Sequence, residues 1–191
     1  MSNAVTNEHI IAWIKKTAEV IEQKREYLTE LDTAIGDADH GNNMHRGYQH
    51  AVTHLSADQQ DIGAILKNIA MALMSKVGGA GGPLYGTMFL QASSIAKGKT
   101  ELNIEDMERF FIAAVEGVQK RGKAVRGEKT ILDSLIPAKE AFQAAKEDGK
   151  PLADSLSAAV TAAEEGMNGT IDMIATKGRA SYLGQRSRGH M

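Results

Sequence analysis

Apolar residues recur at helical spacing along nearly the whole chain, and this periodicity limits the fold more than any other feature. They fall at intervals of three and four, and no alternating run of β-branched residues competes with them. The segments between these stripes are short, which favours antiparallel neighbours. We therefore expect an all-α fold, a bundle of about eight antiparallel helices in a single domain over residues 1–191.

Capping residues and stripes predict where the helices lie. One long helix is expected over about residues 7–28, and another after a capping-box pair formed by Ser56 and Gln59. Asn103 is expected to cap a third helix, and Thr130 with Asp133 a fourth, in which Pro137 predicts a kink or a late start. Further helices are expected at about 43–55, 84–97, after 151 and near 170.

Composition excludes several classes of function. A formal net charge of −2 gives no overall attraction to nucleic acid or to an anionic membrane. The lack of cysteine excludes disulfides, thiolate zinc sites and cysteine nucleophiles. Since no apolar run approaches a membrane span and no signal peptide is recognisable, we expect a cytoplasmic protein that binds neither nucleic acid nor membrane.

The segment LDTAIGDADHGNN, residues 31–43, gathers Asp32, Asp37 and Asp39. Three carboxylates repel one another unless a positive group lies among them. Carboxylates are the ligands that Mg²⁺ prefers, and three of them could hold the two ions used in phosphoryl transfer. The alternative is a solvated loop in which Asp37 is a cap or turn residue. His40 leaves open a zinc ligand or a hydrogen bond to phosphate or carboxylate.

Two known loop motifs do not fit. An EF-hand loop starting at Asp37 would need a glycine at Asn42 and a glutamate at Tyr48. The GKT at residues 98–100 lacks both the earlier glycine and the strand of a Walker A loop.

The segment KVGGAGGPLYG, residues 76–86, has the densest glycines and leads into a predicted helix. Such a turn presents free backbone N–H groups and the positive end of the helix dipole, which suits phosphate. A flexible turn is the alternative.

Four blocks in order, LDTAIGDADHGNNMHRG, VGGAGGPLYG, GEKTILDSL and GRASYLGQRS, resemble the nucleotide-binding subunit (DhaL) of phosphotransferase-system-dependent dihydroxyacetone kinases. The resemblance implies a barrel of eight antiparallel helices with a nucleotide at one end. It implies that two Mg²⁺ ions link bound ADP or ATP to the carboxylates of Asp32, Asp37 and Asp39, which are thereby both metal-binding and catalytic. The other implied cofactor-binding residues are His40, Gly41, Asn42, Asn43, Ala80 and Gly81 at the phosphates and metals, and Gly122, Ile131 and Arg179 around the nucleoside.

The sequence departs from that family at a few positions. Gly81 replaces a serine, Glu128 replaces an aspartate, and Ile131 stands where many relatives have methionine. The Asp-Pro-Gly segment that helps to close the nucleotide site in relatives does not follow SRGH, so we expect either an incomplete lid or a truncated terminus. Arg179 has an alternative as one of several basic residues in a solvated tail.

The resemblance implies an enzyme, a kinase subunit with two partners. ADP-Mg would accept a phosphoryl group from a phosphohistidine of a DhaM-like phosphotransferase subunit. It would pass this group, as the γ-phosphate of ATP, to dihydroxyacetone held on a DhaK-like subunit. One alternative is a nucleotide-sensing regulator that acts on a transcription factor without turnover. Another is a stand-alone kinase component that uses ATP.

A basic run near the predicted nucleoside site has two interpretations. It could steer an acidic partner by long-range attraction, or it could simply be a solvated surface loop. Its members are Lys120, Arg121, Lys123, Arg126 and Lys129.

Overall fold

The structure, a computed structural model, describes residues 3–56 and 58–191. These residues form α-helices joined by short connections, followed by two 3₁₀ helices at Thr170–Asp172 and Arg179–Ser187. The α-helices are α1 (Asn7–Gln23), α2 (Arg25–Ile35), α3 (His40–Val52), α4 (Ile62–Lys76), α5 (Gly81–Ile95), α6 (Ile104–Gly122), α7 (Leu132–Glu147) and α8 (Leu152–Gly169).

From α3 onward, each helix packs against the next one along the chain, and α1 packs against α3. The interior of this bundle is a continuous apolar cluster whose central side chains, such as Ile14, Leu73, Phe89 and Phe142, are inaccessible to solvent. Burial of these side chains is the main source of helix stability here, because isolated helices of this length are marginal in water. The predicted all-α fold of about eight helices is confirmed.

A small sheet joins the start of the chain to the segment before α6. Strand β1 (Val5–Thr6) pairs antiparallel with β2 (Glu101–Leu102), and Val5 lies opposite Leu102. Two-residue strands carry no alternating pattern, so this pairing could not be predicted from the sequence. No helix within the described residues has the length and apolarity needed to cross a membrane.

The prediction of one long helix over residues 7–28 is wrong, because the helix is interrupted at Lys24. Its backbone (φ −100°, ψ 9°) lies between α1 and α2. The residues between Ile21 and Tyr27 are all polar, so no apolar stripe holds the two helices in line. Helix α2 then continues to Ile35. Asp32 therefore lies in the last turns of α2 rather than in a bend.

Two helices begin earlier than predicted, α3 at His40 and α5 at Gly81. The glycines at the start of α5 lie inside the helix because they allow close packing on α4. A Cβ on Gly82 would lie 2.4 Å from the carbonyl oxygen of Val77, and one on Gly86 would lie 2.3 Å from Cγ of Met74. The high glycine content of this segment therefore reflects close packing of α5 on α4 as well as the turn before α5.

The predicted caps have different outcomes. Asn103 caps α6 as expected, with its side chain accepting the Asp106 N–H at 2.8 Å. Ser56 and Gln59 do not cap α4: the Ser56 N–H donates to Oε1 of Gln59, but this contact only closes a turn ahead of the helix. Asp61, immediately before α4, accepts the Ala64 N–H and takes the capping role.

Helix α7 contains Pro137 and begins at Leu132, so of the two predicted alternatives, a kink or a late start, the late start does not occur. A proline has no N–H to donate to the carbonyl four residues earlier, which here belongs to Asp133. That carbonyl faces Gly166 of α8, where a Cβ would lie 2.1 Å from the oxygen. The close approach of α8 thus covers the position at which the helical hydrogen bond is missing.

Candidate functional site

A short connection, residues 36–39, turns the chain from α2 into α3 and carries Asp37 and Asp39, while Asp32 lies in the last turns of α2. The Oδ2 atom of Asp32 accepts the backbone N–H groups of Asp39 at 2.9 Å and His40 at 3.1 Å. Ala38 has a left-handed backbone with φ of +61°. The carboxylate of Asp32 therefore fixes the connection that presents the other two aspartates. We call residues 32–39 the acid loop.

The three predicted aspartates come together as expected from the sequence. One carboxylate oxygen from each of Asp32, Asp37 and Asp39 lies within 4.8 Å of the others. Asp32 is half-buried and the other two are exposed, so water and a phosphate could reach the same point. Hard oxygen donors at this spacing, open on one side, fit a cation such as Mg²⁺.

Two helix N-termini meet beside the acid loop. His40, Gly41, Asn42 and Asn43 form the first turn of α3. Asp39 and Ala80, which precede α3 and α5, do not cap these helices with their side chains. A Cβ on Gly81, the first residue of α5, would lie 4.0 Å from Cε1 of His40. The positive ends of both helix dipoles therefore lie beside the acid loop, an arrangement that suits a phosphate bound with a cation.

Asn43 links α3 to the glycine-rich connection 77–80. Its side chain is buried, and Oδ1 accepts a hydrogen bond from Nη2 of Arg46 at 2.6 Å. Arg46 also donates from Nε to the carbonyl of Lys76 at 2.8 Å. A Cβ on Gly78 would lie 2.9 Å from Nδ2 of Asn43. Through Arg46, Asn43 thus connects the first turn of α3 to the end of α4, and a contact of Asn43 with a ligand stays a prediction.

The residues predicted for the nucleoside end, Gly122 and Ile131, lie beside a second apolar cluster. Gly122 ends α6, and a Cβ there would lie 3.3 Å from Cδ2 of Leu84 near the start of α5. Ile131 and Leu84 both pack on this cluster. The cluster consists of Val115, Val118, Ala124, Leu132 and Ile136. These five residues are buried, so only the partly buried Leu84 and Ile131 at the edge of the cluster, next to the α5 N-terminus, could take a flat base.

Asp133 organises the connection between α6 and α7, a role the sequence analysis assigned only in part. Its carboxylate, almost fully buried, accepts the N–H groups of Gly127 and of Thr130, the second at 2.8 Å. Thr130 Oγ1 in turn accepts the Leu132 N–H at 3.2 Å. Thr130 and Asp133 are therefore hydrogen-bonded, but the predicted cap is not formed as such, because Ile131 precedes α7 and no side chain caps the helix there. The bond to Gly127 was missed because a capping pattern says nothing about the loop before it.

The basic run is less uniform than its sequence indicates. Arg126 pairs with Glu140 on α7 at 2.6 Å, and Lys129 donates to the backbone carbonyls of Thr170 and His190. These two cations already have partners within the chain. The hypothesis that the basic run steers an acidic partner by long-range attraction is therefore restricted to Lys120, Arg121 and Lys123.

Residues 170–190, which we call the tail loop, carry Arg179 to the acid loop. The 3₁₀ helix Arg179–Ser187 lies against α2, and Arg179, Tyr182 and Leu183 line a cavity of about 620 Å³ together with residues 33–36. Nη2 of Arg179 lies 3.0 Å from Oδ2 of Asp37. Arg179 is thus placed at the carboxylates, and its predicted contact with the nucleoside stays a prediction.

Comparison with known proteins agrees with this geometry. The profile of the DAK2 domain matches residues 34–191. The chain is 43% identical over 188 residues to the ADP-binding subunit DhaL of the PEP-dependent dihydroxyacetone kinase of Escherichia coli, covering 98% of this chain and 90% of that protein. The corresponding subunit of the PTS-dependent kinase of Lactococcus lactis is 42% identical, with the same coverage of both chains.

A longer relative contains the same region. The triokinase/FMN cyclase of Mus musculus is 32% identical over 188 residues, which cover 95% of this chain and 32% of that protein. The profile match and the relatives aligned along nearly their whole length lead to one conclusion: the chain belongs to the DAK2 domain family and, within it, to the DhaL subunits.

Proposed function

We propose that this chain is the ADP-binding subunit of a PEP-dependent dihydroxyacetone kinase. The observation that carries the proposal is the meeting of the three carboxylates of Asp32, Asp37 and Asp39 with the N-termini of α3 and α5. One half of this arrangement suits divalent cations and the other suits phosphate. The names of the relatives, which are ADP-binding subunits of such kinases, support the same activity.

The carboxylates would hold two Mg²⁺ ions, and their exposure leaves room for water and phosphate oxygens as further ligands. Mg²⁺ bound there would neutralise negative charge on the phosphates, which is the main requirement of phosphoryl transfer. Asp32 contributes a second effect, since its bonds to the Asp39 and His40 N–H groups keep the acid loop in one shape. Pre-organisation of this kind reduces the cost of reaching the reactive geometry.

The diphosphate would be bound by the first turn of α3 and by the α5 N-terminus. Backbone N–H groups at Ala80 and Gly81 would serve in place of the serine hydroxyl of relatives. The other residues proposed at the phosphates are His40, Gly41, Asn42 and Asn43. The base would lie against Ile131 and Gly122, where the apolar cluster reaches the surface, and Arg179 would contribute positive charge.

Two partners would use the same end of the molecule in turn. A phosphoryl group from a phosphohistidine of a DhaM-like subunit would be taken up there and passed to dihydroxyacetone on a DhaK-like subunit. Two exposed apolar side chains, Val125 before α7 and Tyr182 in the tail loop, flank the segments that form the site. Exposed aromatic and aliphatic side chains beside a site are typical of contact surfaces.

The first test measures what the purified protein holds. Denaturation should release ADP and about two Mg²⁺ per chain, as in the proposed cofactor set, and Asp37→Asn should lose both. Asp154→Asn is the matched control, since it removes one exposed carboxylate at the start of α8. The absence of both cofactors from the wild-type protein, even after ADP and Mg²⁺ are added, would overturn the proposal.

The second test follows phosphoryl transfer in a mixture with the two partner subunits, PEP and dihydroxyacetone. Dihydroxyacetone phosphate should form only when all the components are present. Turnover with ATP in the absence of the phosphohistidine donor would indicate a stand-alone kinase component instead. Tight nucleotide binding without transfer in the complete mixture would favour a regulator that acts on a transcription factor.

A further inference from the structure

The ammonium group of Lys129 contacts both ends of the tail loop. It donates hydrogen bonds to the carbonyl of Thr170, where the loop begins, and to the carbonyl of His190, where it ends. Among the described residues, no carboxylate lies within ion-pairing distance of this lysine. Two carbonyls of segments distant in sequence therefore compensate for the hydration that the charge loses on burial.

Burial lowers the pKa of the Lys129 ammonium, and the nearby charge of Asp172 acts in the opposite direction. The backbone of Lys129 is left-handed, with φ of +59°. A non-glycine residue in this region costs free energy and persists only when the surroundings fix it. The two carbonyl contacts supply that fixing, so this side chain has a defined position.

Other contacts close the tail loop at the same base. The Gly189 N–H donates to the carbonyl of Ile171 at 2.8 Å, and the Ala175 N–H donates to Oγ of Ser187, a fully buried hydroxyl, at 2.9 Å. The Thr176 N–H donates to the carbonyl of Glu128, next to Lys129, at 3.3 Å. The base of the loop is therefore attached to the connection that leads to Ile131.

The middle of the tail loop contacts the acid loop. Arg179 lies between the paired ends and reaches Asp37 of the acid loop. Since the side chain of Arg179 is mostly exposed, its position depends on where the backbone of the loop is held. The base contacts around Lys129 determine that backbone.

We propose that Lys129 is a positioning residue that holds the two ends of the tail loop together and thereby sets Arg179 against the acid loop. The part of this inference that concerns nucleotide affinity rests on the proposed function. The part that concerns loop closure does not, because the contacts are present in the chain alone. Lys129 acts through Arg179, since its ammonium group donates to the carbonyls of Thr170 and His190 and forms no ion pair with the acid loop.

Loop closure is tested on protein without nucleotide or metal, by limited trypsin digestion followed by mass spectrometry. Cleavage after Lys177 and Arg186 should become about tenfold faster in Lys129→Met, because hydrogen bonds from a charged donor are lost. Lys129→Arg should restore protection. Lys123→Met is the matched control: Lys123 is also left-handed, with φ of +48°, but its side chain makes no hydrogen bond or ion pair among the described residues. Wild-type cleavage rates in folded Lys129→Met would overturn the proposal.

A milder variant covers the case in which Lys129→Met does not fold. Lys129→Gln keeps N–H donors on a shorter side chain, so it should give cleavage rates between those of the wild type and an opened loop. Ser187→Ala opens the same base from the other side and should also accelerate cleavage after Lys177. Wild-type protection in both of these variants would show that the base contacts do not hold the loop.

A double-mutant cycle tests whether Lys129 acts through Arg179. The affinity for ADP with Mg²⁺ is measured by calorimetry for Lys129→Met, Arg179→Gln and the double variant. Both single variants should bind more weakly, and the double variant should match Arg179→Gln within about twofold, because coupled residues are not additive. Additive losses would overturn the proposal. A wild-type protein that binds no ADP would contradict the proposed function, while the digestion result would still decide on the loop.

Discussion

The guanidinium of Arg179 lies 3.0 Å from the carboxylate of Asp37, so a side chain places positive charge on the acid loop. The two residues are far apart in sequence and meet because the tail loop folds back over α2. A divalent cation at the cluster would be bound by the same carboxylate group, that of Asp37. The contact therefore implies competition between an internal cation and an external one.

This competition predicts the behaviour of Arg179→Gln without nucleotide. Its affinity for Mg²⁺ or Mn²⁺ alone should rise about two- to fivefold, the range expected for removal of an exposed ion pair. Titration with Mn²⁺, followed by electron paramagnetic resonance, measures this directly. Arg186→Gln removes a neighbouring charge of the tail loop that forms no ion pair among the described residues, and it should leave the affinity unchanged. Weaker metal binding in Arg179→Gln would rule out competition.

The two functions of Asp32 can be separated by substitution. Asp32→Asn should lose Mg²⁺-dependent ADP binding but keep the acid loop ordered, because its amide oxygen still accepts the N–H groups of Asp39 and His40. Asp32→Ala should lose both. Amide hydrogen exchange at residues 39 and 40 distinguishes the variants, with fast exchange expected only in Asp32→Ala. Equal exchange in the two would mean that the carboxylate does not hold the loop.

The local part of this architecture could be predicted from sequence, and the acid loop is the clearest case. Asp32, Asp37 and Asp39 lie within a few residues of one another, so their proximity follows from chain connectivity. The Asn103 cap is equally local. The break at Lys24 could not be anticipated from periodicity alone, because it depends on which apolar stripes find a partner surface.

Contacts across long separations explain the remaining differences. Lys129 looked like one member of a surface run, yet it bonds to carbonyls near the end of the chain. Arg179 looked like a basic residue of the tail, yet it pairs with Asp37. Hydrogen-bonding side chains carry no sequence signal for a partner that arrives only through tertiary folding.

A substitution at Gly36 tests how closely the acid loop is packed around Asp32. A Cβ at this position would lie 1.9 Å from Oδ1 of Asp32, so Gly36→Ala must displace that carboxylate. Metal affinity should fall roughly 10- to 100-fold, as observed when residues that orient metal ligands are changed. Gly169→Ala is the control, since a Cβ there would meet nothing within 4 Å. Calorimetric titration with Mg²⁺ and ADP provides the comparison, and unchanged affinity in Gly36→Ala would show that Asp32 is free to move.

Asp106, which lies in α6 outside the candidate functional site, is expected to make a pH-dependent contribution to the stability of the fold. Burial raises the pKa of its carboxyl, but hydrogen bonds from Lys99 and Arg109 outweigh this effect and hold it below the ordinary value of 3.8. A carboxyl with a lowered pKa in the folded state stabilises the fold above its unfolded pKa, and this contribution is lost as the pH falls through the folded value. Asp106→Asn should therefore lower the free energy of unfolding by about 1.5–3 kcal/mol at pH 7, as for hydrogen bonds to charged groups. The difference from wild type should shrink below about pH 4. Urea unfolding across this range measures it, with Glu105→Gln, an exposed change in the same helical turn, as the control. A difference that stays constant with pH would mean that the ion pairs of Asp106 do not stabilise the fold.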